Sequence, residues 1–136
     1  MTDDPLDPVA VTRDAVHRWI RAVESGDVDA VLATLAPDCS YRNVPEPAAI
    51  GREAIRALFA RVLERSDRIV FDVVTEVYEA GRGWVERVDR FWIDGVERAL
   101  ACNGVFDVDV ASGLITEVRD YLDLTGWRQE MLAAGL

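Results

Sequence analysis

Apolar residues recur at intervals of three and four in the first half of the chain and near its end. This period predicts four helices, over residues 8–25, 28–35, 51–65 and about 125–134. Asp27 is a candidate N-cap for the second helix, which we expect to stop at Pro37. Residues 39–44 predict a short strand that must end at Pro45. We expect residues 1–7 to be a frayed start.

Two of these helices have a clear apolar stripe, which predicts a face buried against the rest of the domain. The stripe of the first helix, broken by Thr12, consists of Val9, Val16, Trp19, Ile20 and Val23. The stripe of the third helix, which Gly51 opens, consists of Ile55, Leu58, Phe59 and Val62.

From residue 69 the apolar period changes to two, the period of a β-strand. Turns that contain glycine separate four predicted strands, which cover residues 69–78, 84–93, 98–110 and 114–122. Helices followed by a meander of strands predict an α+β domain, with a curved mixed or antiparallel sheet and the N-terminal helices over its concave face. Such a cone encloses an apolar interior that can hold a small ligand.

The alternation in the strands assigns one set of side chains to a single face of the sheet. On the four strands in turn these are Ile69, Phe71, Val73, Thr75 and Val77; Val85, Arg87, Asp89, Phe91 and Ile93; Leu100, Cys102, Gly104, Phe106 and Val108; and Leu114, Thr116, Val118, Asp120 and Leu122. Buried charges are costly unless paired, so we expect Asp120 to lie beside Arg87 and to complete a buried cluster with Asp89. The alternative is that these three charges lie at the edge of the sheet, in solvent.

Composition limits the kinds of partner. The 136 residues, half of them hydrophobic, predict one domain that spans residues 1–136. A net charge of -10 without a basic run argues against nucleic acid and anionic membranes. No apolar run approaches the ~18 residues of a membrane span, and the N-terminus lacks the pattern of a signal peptide, so we expect a cytoplasmic protein.

Several kinds of catalytic site are not supported by the sequence. Cys39 and Cys102 lie far apart without metal-ligand spacing, so we expect buried free thiols and no metal. A serine triad would depend on His17, the single histidine, and no GxSxG motif is present. Neither a GxGxxG motif after a strand nor a P-loop occurs, so no nucleotide cofactor is expected.

Two carboxylates around one guanidinium have a chemistry of their own. In a buried pocket, both carboxylates cannot be ionised without excess negative charge, so desolvation and repulsion raise the pKa of one of them above its usual ~3.9. The pair then offers a general base and a general acid near neutral pH, without metal or histidine.

Three segments of the chain carry a resemblance to a known family. They are YRNVPEP at 41–47 with GR at 51–52, ERVD at 86–89, and RDYLDL at 119–124. In order and spacing, these segments resemble the limonene-1,2-epoxide hydrolase family of the SnoaL-like, or NTF2-like, superfamily. The resemblance extends over nearly the whole chain and implies an NTF2-like cone.

The resemblance also implies roles for five residues. Asp120 is similar to the base that activates water, Asp89 to the acid that protonates the epoxide oxygen, and Arg87 to the residue that bridges them. Tyr41 and Asn43, which share a strand face by parity, resemble the other two water ligands. The family is cofactor-free and commonly dimeric, so the implied activity is one-step hydrolysis of a small apolar epoxide by a homodimer.

Two other functions fit the same cone. One is a SnoaL-like cyclase or isomerase, which could also use a buried aspartate. The other is a ligand-binding cone without turnover. Tyr41 and Asn43 together favour the hydrolase, since their predicted task is to hold a water molecule.

Overall fold

The computed structural model describes residues 6–136, and in this part of the chain four helices and six strands follow one another. The helices are α1 (Pro8–Glu24), α2 (Val28–Ala33), α3 (Arg52–Arg65) and α4 (Leu124–Ala133). The strands are β1 (Leu35–Val44), β2 (Ala49–Ile50), β3 (Ser66–Glu79), β4 (Arg82–Ile93), β5 (Val96–Asp109) and β6 (Leu114–Leu122). Most of the frayed start predicted for residues 1–7 lies outside the described residues.

The six strands form one curved, open, mixed sheet in the order β2-β1-β6-β5-β4-β3. The predicted meander is confirmed, because β3 to β6 pair antiparallel with their neighbours in the chain. β1 pairs parallel with β6 on the other side of the meander, and the two residues of β2 pair antiparallel with β1. The α+β class is therefore correct, with helices over the concave face of the sheet.

Helix α1 covers the concave face with Val16, Trp19, Ile20 and Val23 as predicted, but the first turn differs from the prediction. Asp7 caps the helix by accepting a hydrogen bond from the Val9 amide, and Pro8 occupies the first turn, where its missing N–H costs nothing. Val9 is exposed, whereas Thr12 is fully buried. The Thr12 hydroxyl donates to the Pro8 carbonyl at 2.7 Å and accepts from the Gly81 amide at 2.8 Å, so this polar side chain is satisfied in the core.

A bulge in β3 makes part of its predicted face wrong. Val73 pairs with Arg87 and Thr75 pairs with Glu86, so Val74 is an extra residue without a partner. Beyond the bulge the side chains change sides. Thr75 and Val77 therefore lie on the outer face, although the alternation predicts them beside Phe71.

A second bulge changes the face of β6. Asp107 of β5 pairs with Glu117, and the next residue pairs with Ile115, so Thr116 is the extra residue. Ile115 is buried and Thr116 is exposed, the reverse of the prediction for this end of the strand. Asp120 lies after the bulge, and its predicted orientation is correct.

In the segment before α3 the structure differs from the prediction in smaller ways. Helix α2 ends at Ala33, two residues earlier than predicted, and β1 begins at Leu35 and runs through Pro37. Proline is tolerated there because the register of β1 against β6 is irregular between Leu35 and Ser40, where no ladder N–H is required. The two-residue strand β2 is not indicated by the sequence.

Helix α3 buries a stripe that is rotated from the predicted one. Leu63 is buried in addition, Val62 is partly buried against the core, and Leu58 is 46% exposed. Ile55 and Phe59 are buried as predicted. Among residues 6–136, no helix combines the length and the apolar character that a membrane span needs. The predicted cytoplasmic location stays a prediction.

Candidate active site

The three charged side chains predicted on apolar strand faces come together under helix α1. Arg87 Nε donates to Asp89 Oδ1 at 2.8 Å, and Arg87 Nη2 donates to Asp120 Oδ2 at 2.9 Å. Their exposed fractions are 1% for Arg87, 5% for Asp89 and 3% for Asp120. The charges are therefore buried and paired, and they do not lie in solvent at the edge of the sheet.

Aromatic rings surround the guanidinium group of Arg87. Its central carbon lies 5.3 Å from the ring centroids of Trp19 and Phe71 and 5.9 Å from that of Phe106. Rings at these distances attract a cation through their quadrupoles and exclude water from it. The carboxylates of Asp89 and Asp120 are the hydrogen-bonding partners that the packing leaves for this side chain.

The pKa values of the cluster follow from burial and from these pairs. Burial alone would lower the pKa of Arg87, but the negative charges of Asp120 and Asp89 outweigh it and raise this pKa well above its usual value. Burial raises the pKa of Asp89 from 3.8 to about 6, against the opposing effect of the Arg87 charge. The predicted rise in the pKa of one carboxyl is thus found at Asp89.

Tyr41 and Asn43 reach the same cluster from β1. The Tyr41 hydroxyl donates to Asp120 Oδ2 at 2.5 Å. Burial and the nearby Asp120 charge raise the pKa of Tyr41 well above 10, so its hydroxyl keeps its proton. Asn43 is directly opposite Asp120 in the parallel β1–β6 pair, and its side chain lines the same cavity. The parity argument for these two residues is confirmed.

All five predicted site residues line one cavity. Its other lining residues are mostly apolar and come from helices and strands alike: Leu58, Phe59, Val62, Phe71, Phe91, Leu100, Cys102, Leu122 and Trp127. The cavity volume is about 70 Å³, several times the ~10–15 Å³ that one water molecule needs. Water and the reacting end of an apolar molecule can therefore meet beside the two carboxylates.

Sequence reasoning missed two residues that shape the site. Trp127 of α4 lines the cavity and packs on Phe91 at 5.4 Å between ring centroids, but a single tryptophan in a short helix gives no signal of this role. Cys102 was predicted as a buried thiol, which is confirmed, and it also lines the cavity. Burial and the Asp120 charge raise the pKa of Cys102, so it remains a neutral thiol.

His17, the other candidate catalytic residue, lies outside the cavity, and the described residues form no metal site. His17 Nε2 is 2.8 Å from Glu76 Oε2 where α1 contacts β3, and His17 does not line the cavity. His17 therefore links α1 to β3 through Glu76 and is not part of the site. Across residues 6–136, no three His, Cys, Asp or Glu side chains are grouped closely enough to hold a metal ion.

The fold and the buried site are those of a small α+β cone that encloses a cavity. Residues 16–118 match the SnoaL-like domain model SnoaL_2, and the chain belongs to this family. Among solved structures, an LEH-like epoxide hydrolase from M. tuberculosis is 26% identical, with a TM-score of 0.75 over 93% of this chain and 92% of that one.

Other solved structures share the fold. A protein assigned as a polyketide cyclase from Xanthomonas campestris pv. campestris is 25% identical, with a TM-score of 0.76 over 91% of this chain and 98% of that one. Bal32a, from a soil-derived mobile gene cassette, is 20% identical, with a TM-score of 0.72 over 90% of this chain and 98% of that one. The similarity therefore extends to proteins that are assigned to more than one activity.

The raised pKa of Asp89 predicts a specific pH dependence of stability. A carboxyl with a pKa of about 6 in the folded chain and 3.8 when unfolded binds its proton more tightly in the folded state. Its contribution to stability is therefore complete below about pH 4 and is lost as the pH rises through about 6. The expected loss in the free energy of unfolding is on the order of 3 kcal/mol.

Urea unfolding of the wild type and of Asp89→Asn between pH 4 and pH 8 measures this contribution, as the difference between the two proteins. Asp109→Asn is the control, because the Ser112 hydroxyl and the Ala111 amide lower the pKa of this surface carboxyl. Its difference from the wild type should be constant above about pH 5. A constant difference for Asp89→Asn over the whole range would contradict the raised pKa.

Proposed function

We propose that this protein hydrolyses a small apolar epoxide to a vicinal diol, in one step and without a cofactor. The observation that carries the proposal is the buried pair of carboxylates on either side of Arg87, with Tyr41 bonded to one of them. The similarity to an LEH-like epoxide hydrolase supports it. We also propose that the active form is a homodimer, which the mass of the protein in solution tests.

Asp120 is the base in this proposal. A water molecule in the cavity beside it can donate one hydrogen bond to the carboxylate and one to the Tyr41 oxygen. The Asn43 amide can donate to the same water and hold it in place. One lone pair of the water then remains free, directed at the substrate.

Asp89 is the acid. Its raised pKa keeps a usable fraction of the carboxyl protonated near neutral pH. In the reaction, the water oxygen forms a bond to an epoxide carbon while the bond from that carbon to the ring oxygen breaks. The water proton goes to Asp120, and the proton of Asp89 goes to the ring oxygen. Proton exchange with cavity water after the diol leaves restores both carboxyls.

The apolar lining of the cavity selects the class of substrate. Aromatic and aliphatic side chains make up most of the wall, and no described lining residue other than Arg87 carries positive charge. An epoxide with a hydrocarbon body is therefore preferred over a charged one. A panel of terpene, cycloalkene and styrene oxides, assayed for diol, tests the activity. Binding of such compounds without diol would support a ligand-binding cone, and rearranged or cyclised products would support a cyclase.

Removal of any member of the acid–base cluster should abolish most activity. Asp120→Asn, Asp89→Asn and Arg87→Gln are each expected to lower the rate of diol formation by roughly 10²–10⁴-fold, the range for loss of general acid–base catalysis. The measurement is kcat/KM on the best substrate of the panel. Arg90→Gln is the matched control, because Arg90 lies on the same strand but pairs with Asp72 at 2.7 Å on the outer face. Substantial diol formation by Asp120→Asn would refute its role as the base.

The hydroxyl of Tyr41 and the amide of Asn43 should affect turnover more than binding. Tyr41→Phe and Asn43→Ala are expected to lower kcat by roughly 10- to 1000-fold with little change in KM, because each removes a group that orients water. Tyr78→Phe is the control, since its hydroxyl also bonds to a carboxylate, Glu76, at 3.2 Å, but far from the cavity. Unchanged kcat in both site variants would favour a cyclase or a binding protein.

An isotope-labelling experiment distinguishes direct attack by water on the epoxide from attack by a carboxylate. A covalent route needs a second activated water and commonly a histidine, and His17 does not line the cavity. In a single turnover in oxygen-18 water with enzyme in excess, we expect the label in the diol and inversion at the attacked carbon. Unlabelled diol with label in Asp89 or Asp120 would show an ester intermediate and would end this mechanism.

A further inference from the structure

The ion pair between Arg87 and Asp120 crosses a strand that contains neither of these residues. Arg87 lies on β4 and Asp120 on β6, and β5 runs between these two strands. Neighbouring strands are about 4.8 Å apart, so β4 and β6 are separated by about 10 Å. The side chain of Arg87 must therefore cross the concave face of β5 to reach the carboxylate.

Gly104 is the residue of β5 beneath this crossing. Its backbone pairs with Val85 on one side and with Asp120 on the other. A Cβ atom at this position would overlap Arg87 Nη1 and would lie 2.8 Å from Asp120 Oδ1 and 2.8 Å from Phe106 Cε2. The neighbours on the same face of β5 are Cys102 and Phe106, so glycine occurs where the ion pair crosses and larger residues occur on both sides.

The two charged atoms nearest to this position are also the ones without hydrogen bonds. Within the described chain, Arg87 Nη1 and Asp120 Oδ1 are buried and have no partner. The other atoms of both groups are fixed, because Arg87 Nε is bonded to Asp89 and Asp120 Oδ2 accepts from Tyr41 and Arg87. The guanidinium cannot move away from β5 without breaking these bonds or its contacts with Trp19.

We propose that Gly104 is a positioning residue of the active site, whose missing side chain lets Arg87 cross β5 and hold Asp120. A side chain at this position would separate the cation from one carboxylate. Asp120 would then lose one of the two partners, Arg87 and Tyr41, that fix its orientation toward the cavity. The catalytic meaning of this role rests on the proposed epoxide hydrolysis, whereas the steric role does not.

The steric role is tested by unfolding, without any substrate. We compare Gly104→Ala in the wild type and in a background where the buried charges are removed by Arg87→Met, Asp89→Asn and Asp120→Asn together. Gly104→Ala should lower the Tm by about 10 °C in the wild type, because it misaligns a buried ion pair. In the uncharged background, the loss should be less than half of this.

Gly83→Ala is the matched control. Gly83 is a buried strand glycine of β4, and a Cβ there would lie 2.7 Å from the ring of Tyr78, away from the ion pair. Its loss in Tm should be the same in both backgrounds. An equal loss for Gly104→Ala in both backgrounds, or failure to fold in both, would overturn the proposal. Folding of Gly104→Ala in the uncharged background alone would support it.

A crystal structure of Gly104→Ala provides a second measurement. If Gly104→Ala does not fold, the crystal structure of the uncharged background is determined instead. We expect the distance from Arg87 Nη2 to Asp120 Oδ2 to exceed 3.5 Å in Gly104→Ala, and an intact pair would overturn the proposal. If the uncharged background keeps the wild-type fold and the wild-type position of β5, the strand itself tolerates the altered site. A displaced or disordered β5 in the uncharged background would contradict a purely steric role.

The rate of diol formation then tests whether Gly104 matters for catalysis. Gly104→Ala should lower kcat for diol formation by about 100-fold with KM changed less than threefold, the scale for displacement of a catalytic group by about 1 Å. Gly83→Ala should retain kcat within about threefold below its Tm. If the wild type forms no diol, the proposed function fails, but the unfolding comparison still decides whether Gly104 accommodates the ion pair.

Discussion

The interior of this protein is organised around one buried cation. Arg87 is 1% exposed and therefore lacks the water that would otherwise solvate its charge. Three aromatic rings compensate part of this loss, and the ion pairs with Asp89 and Asp120 compensate a further part. Loss of either carboxylate would remove a hydrogen-bond acceptor from this buried cation, so the positions of the strands that carry these groups are constrained together.

The topology of the sheet meets this constraint. The antiparallel meander puts Asp120 two strands away from Arg87, within reach of its long side chain. The parallel pairing of β1 with β6 then places Asn43 directly beside Asp120, and Tyr41 two residues earlier on the same face. Helix α1 closes the cluster from above with Trp19, so the polar groups face one another in an apolar enclosure.

Much of this arrangement could be predicted from the sequence, and the errors have physical causes. Strand β4 pairs without interruption to β5, so its alternation correctly assigns Arg87 and Asp89 to the buried face. Bulges at Val74 and Thr116 insert one residue each, so the predicted face is reversed after the bulge in β3 and before the bulge in β6. Nothing in the local residue types marks either bulge. Trp127 was missed because its contact with the cavity depends on how the last helix packs.

The charge balance of the cluster explains why neither metal nor histidine is required for the proposed reaction. With Asp120 ionised and Asp89 protonated, the three groups carry no net charge. Transfer of one proton from water to Asp120 and of another from Asp89 to the ring oxygen only exchanges which carboxyl is ionised. Arg87 donates to both carboxylates, so it is already bonded to whichever one holds the charge. No uncompensated charge then develops in the low-dielectric interior, and the strain of the epoxide ring supplies the driving force for opening.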